Sequence, residues 1–294
     1  MQYFNRYTRR LEEEVIPKEG FIKWLYYTPM GRCFLKNCMC KGVMSKWMGI
    51  WMNTRWSRRY ILPFVKRYGI DLNDFEKTLG EFSHFNDFFC RKFKPEKRLF
   101  DADDGVVCSP AEGRHLGFNS LAELPQFFVK GESMDLAGLL GSREMADKFS
   151  RASVVISRLS PVDYHRFHFP LSGVPSASQL INGYLFSVHP LALKKNIAIF
   201  LKNKRWVSVL NNPSLGEICM VEVGATGIGS TVQTYVPNEF VHKGQEKGYF
   251  CFGGSTVITL FASDKIQLAA DLLEQTKRGY ELYVHCGDAI ARVC

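Results

Sequence analysis

Apolar and polar positions follow two different rhythms along this chain. From Glu19 to about Lys94 the rhythm is helical: Tyr60, Ile61, Phe64, Val65 and Tyr68 recur at i, i+1, i+4, i+5 and i+8, with Arg58, Arg59, Lys66 and Arg67 elsewhere around the turn. Pro63 predicts a helix start or a kink, because proline lacks the amide hydrogen that a helix interior uses. Between Lys46 and Trp56, the apolar Trp47, Met48, Ile50, Trp51 and Met52 are flanked by Lys46, Arg55 and Arg58, the composition of a helix lying in a membrane interface. The alternative, in which these aromatics pack on the rest of the molecule, predicts the same pattern.

Past Asp101 the rhythm shortens to strand-like runs: Val106 to Cys108, Ala152 to Ile156, Trp206 to Leu210, Ile218 to Val223, Thr231 to Val236 and Thr256 to Phe261. Asn211-Asn212-Pro213 and Pro237-Asn238 punctuate them as turns. Helical pieces are expected at Met134–Leu140, Ser142–Phe149 and Leu191–Phe200. No repeat of 20–50 residues and no low-complexity tract is found. The reading is an α+β protein: a helical, basic, Trp-rich N-terminal region (1–100) packed on a mainly antiparallel β-rich body (101–294).

Composition sharpens that division. The chain has 294 residues, 46% of them hydrophobic and 14% aromatic, enough for a substantial core. Residues 1–100 carry 20 of the 38 Lys+Arg and 10 of the 29 Asp+Glu, so the net +9 belongs to the first third, as do Trp24, Trp47, Trp51 and Trp56. Trp and Tyr settle at the headgroup level of a bilayer, and anionic lipid attracts nearby basic residues by about 1 kcal/mol per charge. An anionic membrane surface is therefore the expected partner. Nucleic acid is not, because zinc-finger, RNA-recognition and helix-turn-helix signatures are absent. No run approaches the about 18 apolar residues of a transmembrane helix, and the start lacks the apolar stretch of a secretory signal, so a peripheral position on the cytoplasmic face of the membrane is expected. The nine cysteines fit neither a disulfide framework nor a metal site; Cys33, Cys38 and Cys40 cluster without a histidine to complete a tetrahedral set.

The candidate chemistry lies forty residues from the end, in Gly253-Gly254-Ser255-Thr256. A hydroxyl follows a glycine carbonyl there, and glycine tolerates the strained backbone that exposes such a carbonyl to attack. Five further segments precede it in order: Tyr26-Tyr27-Thr28-Pro29-Met30-Gly31-Arg32; Ser57 to Tyr68; Phe85-Asn86-Asp87-Phe88-Phe89-Cys90-Arg91-Lys92-Phe93-Lys94-Pro95; Asp163-Tyr164-His165-Arg166-Phe167-His168-Phe169-Pro170; and Val223-Gly224-Ala225-Thr226. From about Phe21 to Phe261 the chain resembles the phosphatidylserine decarboxylases, self-processing proenzymes with a pyruvoyl cofactor.

The resemblance implies that Ser255 attacks the Gly254 carbonyl and that the resulting ester eliminates. The products would be a β-chain (1–254) and an α-chain (255–294) headed by a pyruvoyl group derived from Ser255. His168 would be the base for cleavage, since serine is a poor nucleophile without one. The family's supporting carboxylate sits in Ser-Pro-Ala-Asp-Gly; here Ser109-Pro110-Ala111-Glu112-Gly113 places Glu112 there, one methylene longer, with Asp103, Asp104 and Asp163 as nearby substitutes. The mature ketone would condense with the amine of phosphatidylserine as a Schiff base and draw in the electrons freed with CO₂, and His165 would protonate the product. Residues 165 and 168 face opposite ways if extended, so their grouping requires a bend. A homodimer is also implied.

Two rivals use the same residues. One is a pyruvoyl decarboxylase of another amino-acid substrate; the other is an unprocessed lipid-binding protein on the same fold, with Glu112 marking lost catalysis. His84, His115, His189, His242 and His285 are read as structural or surface residues, Phe85 to Lys94 as a packing and docking segment, and Gly224, Gly227 and Gly229 as close backbone packing rather than a phosphate cradle.

Overall fold

The computed structural model describes residues 2–14, 19–35, 37, 42–123, 135–188, 199–225, 231–253 and 255–294. It is α+β. Its centre is a ten-stranded sheet running, in spatial order, Arg10–Glu13, Gln2–Asn5, Glu281–Val284, Gly113–Phe118, Ser153–Leu159, Ser255–Phe261, Gly216–Gly224 and Arg205–Asn212, with Val174–Pro175 and Gln179–Ile181 both on the last strand. Pairing is antiparallel except between Gln2–Asn5 and Glu281–Val284.

Ser255–Phe261 is a central strand, paired over its whole length with Ser153–Leu159 on one side and Gly216–Gly224 on the other. Side chains alternate across a strand. Val257 and Phe261 enter one apolar core with Val155, Phe167 and Phe250, while Ile258 and Leu260 enter another with Val154, Val221 and Phe200. Both faces are covered, which is why this strand reads as a nearly continuous apolar run.

One face is covered by two small sheets, Thr231–Gln233/Glu246–Phe250/Arg166–His168 and Ile266–Leu268/Ala289–Val293/Val106–Cys108. The other is covered by Leu136–Leu140, Arg143–Lys148 and Ile199–Lys202. Ser142 caps the second of these helices by accepting the amide of Met145, and Asp135 caps the first through Gly138. Met134, 191–198, His189, Thr226, Gly227, Gly229, Cys38 and Cys40 lie outside the described residues.

The helical pattern around Tyr60 becomes the helix Ile61–Tyr68, ended by Gly69 at φ 63°, a left-handed turn that glycine takes without a Cβ clash. Ile61 is buried, and Phe64 and Val65 pack beside it on Phe85 and Phe88. Pro63 sits in the first turn, where its missing amide hydrogen costs nothing. Helix Gly42–Met52 and the 3₁₀ turn Arg55–Tyr60 cover the predicted Trp-rich stretch.

The tryptophans differ in exposure. Trp24 packs against the core, whereas Trp47 and Trp56 are 69% and 72% exposed, with Ile50 and Trp51 also open. Helicity does not extend to the start of the chain: Gln2–Asn5 and Arg10–Glu13 are strands of the main sheet. Tyr3 and Phe4 are two adjacent apolar residues between Gln2 and Asn5, too short a run to mark a strand by pattern alone. Among the described residues, no helix is long and apolar enough to cross a membrane and no cluster of side chains is arranged to hold a metal ion.

Candidate active site

Ser255 opens the central strand and is wholly buried. Gly254 lies outside the described residues, and Gly253 before it has φ 139°, a conformation that a side chain would strain. Ser255 Oγ donates to Nδ1 of His165 at 3.4 Å. The far nitrogen of that ring, Nε2, donates to the Ser160 carbonyl at 3.0 Å. A carbonyl accepts only from N–H, so the proton is held on Nε2 and Nδ1 keeps its lone pair toward position 255.

His165 is fixed on every side. Phe89 stacks on it with ring centroids 3.9 Å apart, and its own carbonyl accepts the amide of Phe250 at 2.9 Å. Burial, reinforced by the Arg91 cation, pushes its pKa down to about 3. The ring is neutral at physiological pH.

His168 stands at the end of Arg166–His168 and does not share this contact. Its Nδ1–H donates to the Gly244 carbonyl at 2.9 Å, and Nε2 accepts from the Tyr164 hydroxyl at 3.3 Å. Among the described residues no hydrogen-bond partner is common to the two imidazoles, the arrangement that an extended segment imposes on residues three apart. Burial lowers the His168 pKa, opposed by its bond to Gly244 and by the charge of Glu246.

Glu112 meets neither imidazole. Its carboxylate takes Nε and Nη2 of Arg98 at 2.5 and 3.1 Å and the Tyr283 hydroxyl at 3.2 Å. It anchors a tight loop: a Cβ on Gly113 would stand 2.3 Å from the Arg158 carbonyl, and the Pro110 carbonyl accepts the backbone amide of His168 at 2.8 Å. The carboxylate behind His165 is Asp163. Its Oδ2 accepts the Ser160 amide at 2.6 Å and Nη1 of Arg114 at 2.5 Å, so it holds the residue whose carbonyl sets the ring's tautomer. Burial raises the Asp163 pKa against the pull of Arg114. Asp103 lies on an exposed turn, paired with Arg292, and Asp104 is exposed beside it. Glu112, Asp163, Arg91, Arg98 and Arg114 line one polar cavity of about 300 Å³.

Sequence reasoning missed Ser160, Phe89, Arg91 and Arg98. The only signal for Phe89 and Arg91 was the segment Phe85 to Lys94, read as packing; Ser160 and Arg98 carried none. His84 proves to be a helix cap, its Nδ1 accepting the amide of Asp87 at 3.0 Å.

The neutral histidines have a consequence for stability. His115 and His165 are pushed down from 6.5 to about 4 and about 3, and His168 is lowered too. The unfolded chain therefore binds protons first as pH falls below about 6.5, and each histidine removes up to about 1.4 kcal/mol of stability per pH unit until its folded pKa is reached. The midpoint of urea unfolding should drop between pH 7.5 and pH 5; an unchanged midpoint would contradict the buried neutral rings.

Comparison with known proteins identifies the family. The family model for phosphatidylserine decarboxylase matches residues 85–292. The phosphatidylserine decarboxylase proenzyme of Clostridium kluyveri is 41% identical over 290 residues, covering 99% of this chain and 98% of its own. That of Chlamydia trachomatis serovar L2 is 39% identical over 293 residues, covering 99% and 97%. The proenzyme of Fusobacterium nucleatum is 38% identical over 288 residues, covering 98% and 96%. On a match that spans nearly the whole of each chain, this protein belongs to the phosphatidylserine decarboxylase family.

Proposed function

We propose that this chain is a carboxy-lyase that converts phosphatidylserine to phosphatidylethanolamine and CO₂ after cutting itself between Gly254 and Ser255. The observation that carries the reading is the buried Ser255 hydroxyl at the head of a fully paired strand, facing the unprotonated nitrogen of an imidazole. The residues fit a pyruvoyl group at position 255. A three-carbon keto group replaces a serine of the same skeleton, and Nδ1 of His165 already faces it.

For the cut, Ser255 Oγ attacks the Gly254 carbonyl carbon, the C–N bond breaks as the C–O ester bond forms, and the hydroxyl proton passes through a base to the freed nitrogen. The ester would then lose the Ser255 α-proton and the Gly254 carboxylate by elimination, and water would hydrolyse the dehydroalanine left at position 255 to the ketone, releasing ammonia. Two imidazoles carry a suitable lone pair, Nδ1 of His165 and Nε2 of His168. We assign the step to His168, following the family resemblance. Burial disfavours protonation of both rings; at His168 the charge of Glu246 counters it against Arg166 and Lys92, whereas at His165 the cation of Arg91 adds to it. A resting structure need not show the reacting distance. Glu112 serves that step through the loop whose Pro110 carbonyl holds the His168 backbone.

When present, the pyruvoyl ketone takes up the substrate's amine and accepts the electron pair released with CO₂. Nδ1 of His165 would then pass to the carbon that CO₂ leaves the one proton that the overall reaction takes up from solvent. Phe89, Phe252 and the closed sheet keep water from the exchange. Cyanoborohydride added with phosphatidylserine vesicles should fix the lipid covalently on the piece 255–294, detected by mass; labelling by free serine with equal efficiency would point instead to a soluble amino-acid substrate.

The exposed Trp47, Trp51 and Trp56, among Arg55, Arg58 and Arg59, supply the docking face of the helical region, on the cytoplasmic side of the membrane. Replacing all three by alanine should weaken flotation with anionic vesicles at least tenfold while leaving self-cleavage intact, since each buried indole is worth more than about 1 kcal/mol. Unchanged flotation would remove this face from the reading. The resemblance adds a homodimer, which sedimentation of the cut protein would test.

A further inference from the structure

We propose that Arg91 is a positioning residue for His165, a role that rests on the assignment of His165 to position 255. Arg91 follows the short helix Phe85–Phe89 and is only 4% exposed. Its guanidinium lies between two aromatic faces, 4.8 Å from the ring centre of Phe75 and 4.9 Å from that of Phe88. From there Nη2 donates to the carbonyls of Val162 and Asp163 at 2.9 and 3.0 Å, and Nη1 to that of Phe88 at 3.5 Å.

These bonds tie together two elements that both touch the imidazole. The turn from Ser160 to His165 carries the carbonyl that receives Nε2–H, and the helix carries Phe89, which stacks on the ring. Asp163 fixes the Ser160 amide from within the turn, and Arg91 fixes the Val162 and Asp163 carbonyls from outside it. A guanidinium suits the task, because its flat face lies against both rings while one nitrogen, Nη2, donates to the two adjacent carbonyls. Lysine would keep the charge and a donor for these carbonyls but lose the flat guanidinium face. Methionine would fill the slot and hold neither carbonyl.

Burial lowers the Arg91 pKa to about 10, so the group remains a cation at neutral pH. That cation also disfavours a second proton on His165. One side chain therefore sets the position of the ring and supports its neutral state. A purely structural arginine would be needed for folding alone, and its loss would leave the tautomer of a distant ring unchanged.

The test uses the full, uncut chain made with Ser255→Ala and ¹⁵N-labelled histidine, with His165→Phe on the same background identifying the His165 signals. Long-range ¹H–¹⁵N spectra should show His165 protonated on Nε2 alone in the parent. With Arg91→Met added, the ring should become a mixture of tautomers; with Arg91→Lys, Nε2–H should still predominate. In the Ser255 protein, Arg91→Met should lower kcat about a hundredfold at unchanged KM, the cost of misplacing a catalytic group by about 1 Å. A folded Arg91→Met chain with a single Nε2–H tautomer and kcat within twofold of the parent would overturn the proposal. Should the methionine variant fail to fold, Arg91→Gln carries the same test with the same two outcomes. A parent protonated on Nδ1 would overturn the underlying assignment of His165 and the proposal with it, an outcome visible before any change at Arg91.

Discussion

Ser255→Ala should leave the protein as one chain of 294 residues with no decarboxylase activity, while the unaltered protein yields pieces of 254 and 40 residues, the smaller blocked at its N-terminus. The effect is complete because, in the proposed reaction, the Ser255 oxygen both attacks the backbone and leaves with the Gly254 carboxylate, and only that elimination lets the serine skeleton become the ketone on which decarboxylation depends. Alanine should be well accommodated, since the hydroxyl makes one weak bond of 3.4 Å and the strand's backbone pairing does not involve it. The variant should therefore melt within about 1 kcal/mol of the uncut parent, the ordinary worth of one hydrogen bond. Intact mass spectrometry decides the matter: a 40-residue fragment from the alanine chain would show that the cut does not use Ser255.

The second large effect separates the two histidines. His165→Ala should still cut, but CO₂ release from the cut protein should fall by about 10²–10⁴-fold, the usual worth of a placed proton donor. His168→Ala should stay uncut, and its activity should be absent for want of the ketone. The contrast follows from their surroundings. Nδ1 of His165 faces position 255 in a site with a nearby cation, suited to passing a proton on rather than keeping it, whereas His168 lies beside the carboxylate of Glu246. Mass spectrometry and CO₂ release on the same preparations read both steps. An uncut His165→Ala chain beside a cut His168→Ala chain would exchange the two roles.

Much of the frame was legible because its causes are local. The apolar runs at Ile218 to Val223 and Thr256 to Phe261 announced strands, which the structure pairs with each other, and the helical piece expected at Ser142–Phe149 is the helix that Ser142 caps. The Tyr60 to Tyr68 pattern held for the same reason: one helix face meets Phe85 and Phe88. Missed features depend on long-range pairing. Gln2–Asn5 is a strand only because Glu281–Val284 offers it a partner nearly 280 residues away, and nothing in four residues encodes that. At the site, Ser255 and the paired histidines were visible as motifs, but their grouping was not. Strand geometry sends His165 to the serine and His168 elsewhere, and Glu112 finds Arg98, fourteen positions earlier, before it can find an imidazole. Arg91 was hidden inside a segment whose aromatic content resembles plain packing.

The place of Ser255–Phe261 between two strands of the longer piece gives the proposed cut a meaning for the protein's lifetime. Before it, an unfolded molecule holds its own central strand on a tether and can refold alone. Afterwards the same sheet is shared by two molecules, and Glu281–Val284 is likewise enclosed by Gln2–Asn5 and Gly113–Phe118. The cut protein stays whole as long as it stays folded, but once opened it recovers only at a rate set by encounter and concentration. Maturation would thus exchange reversible stability for kinetic persistence. The order of events is then fixed: the sheet must close before the backbone opens.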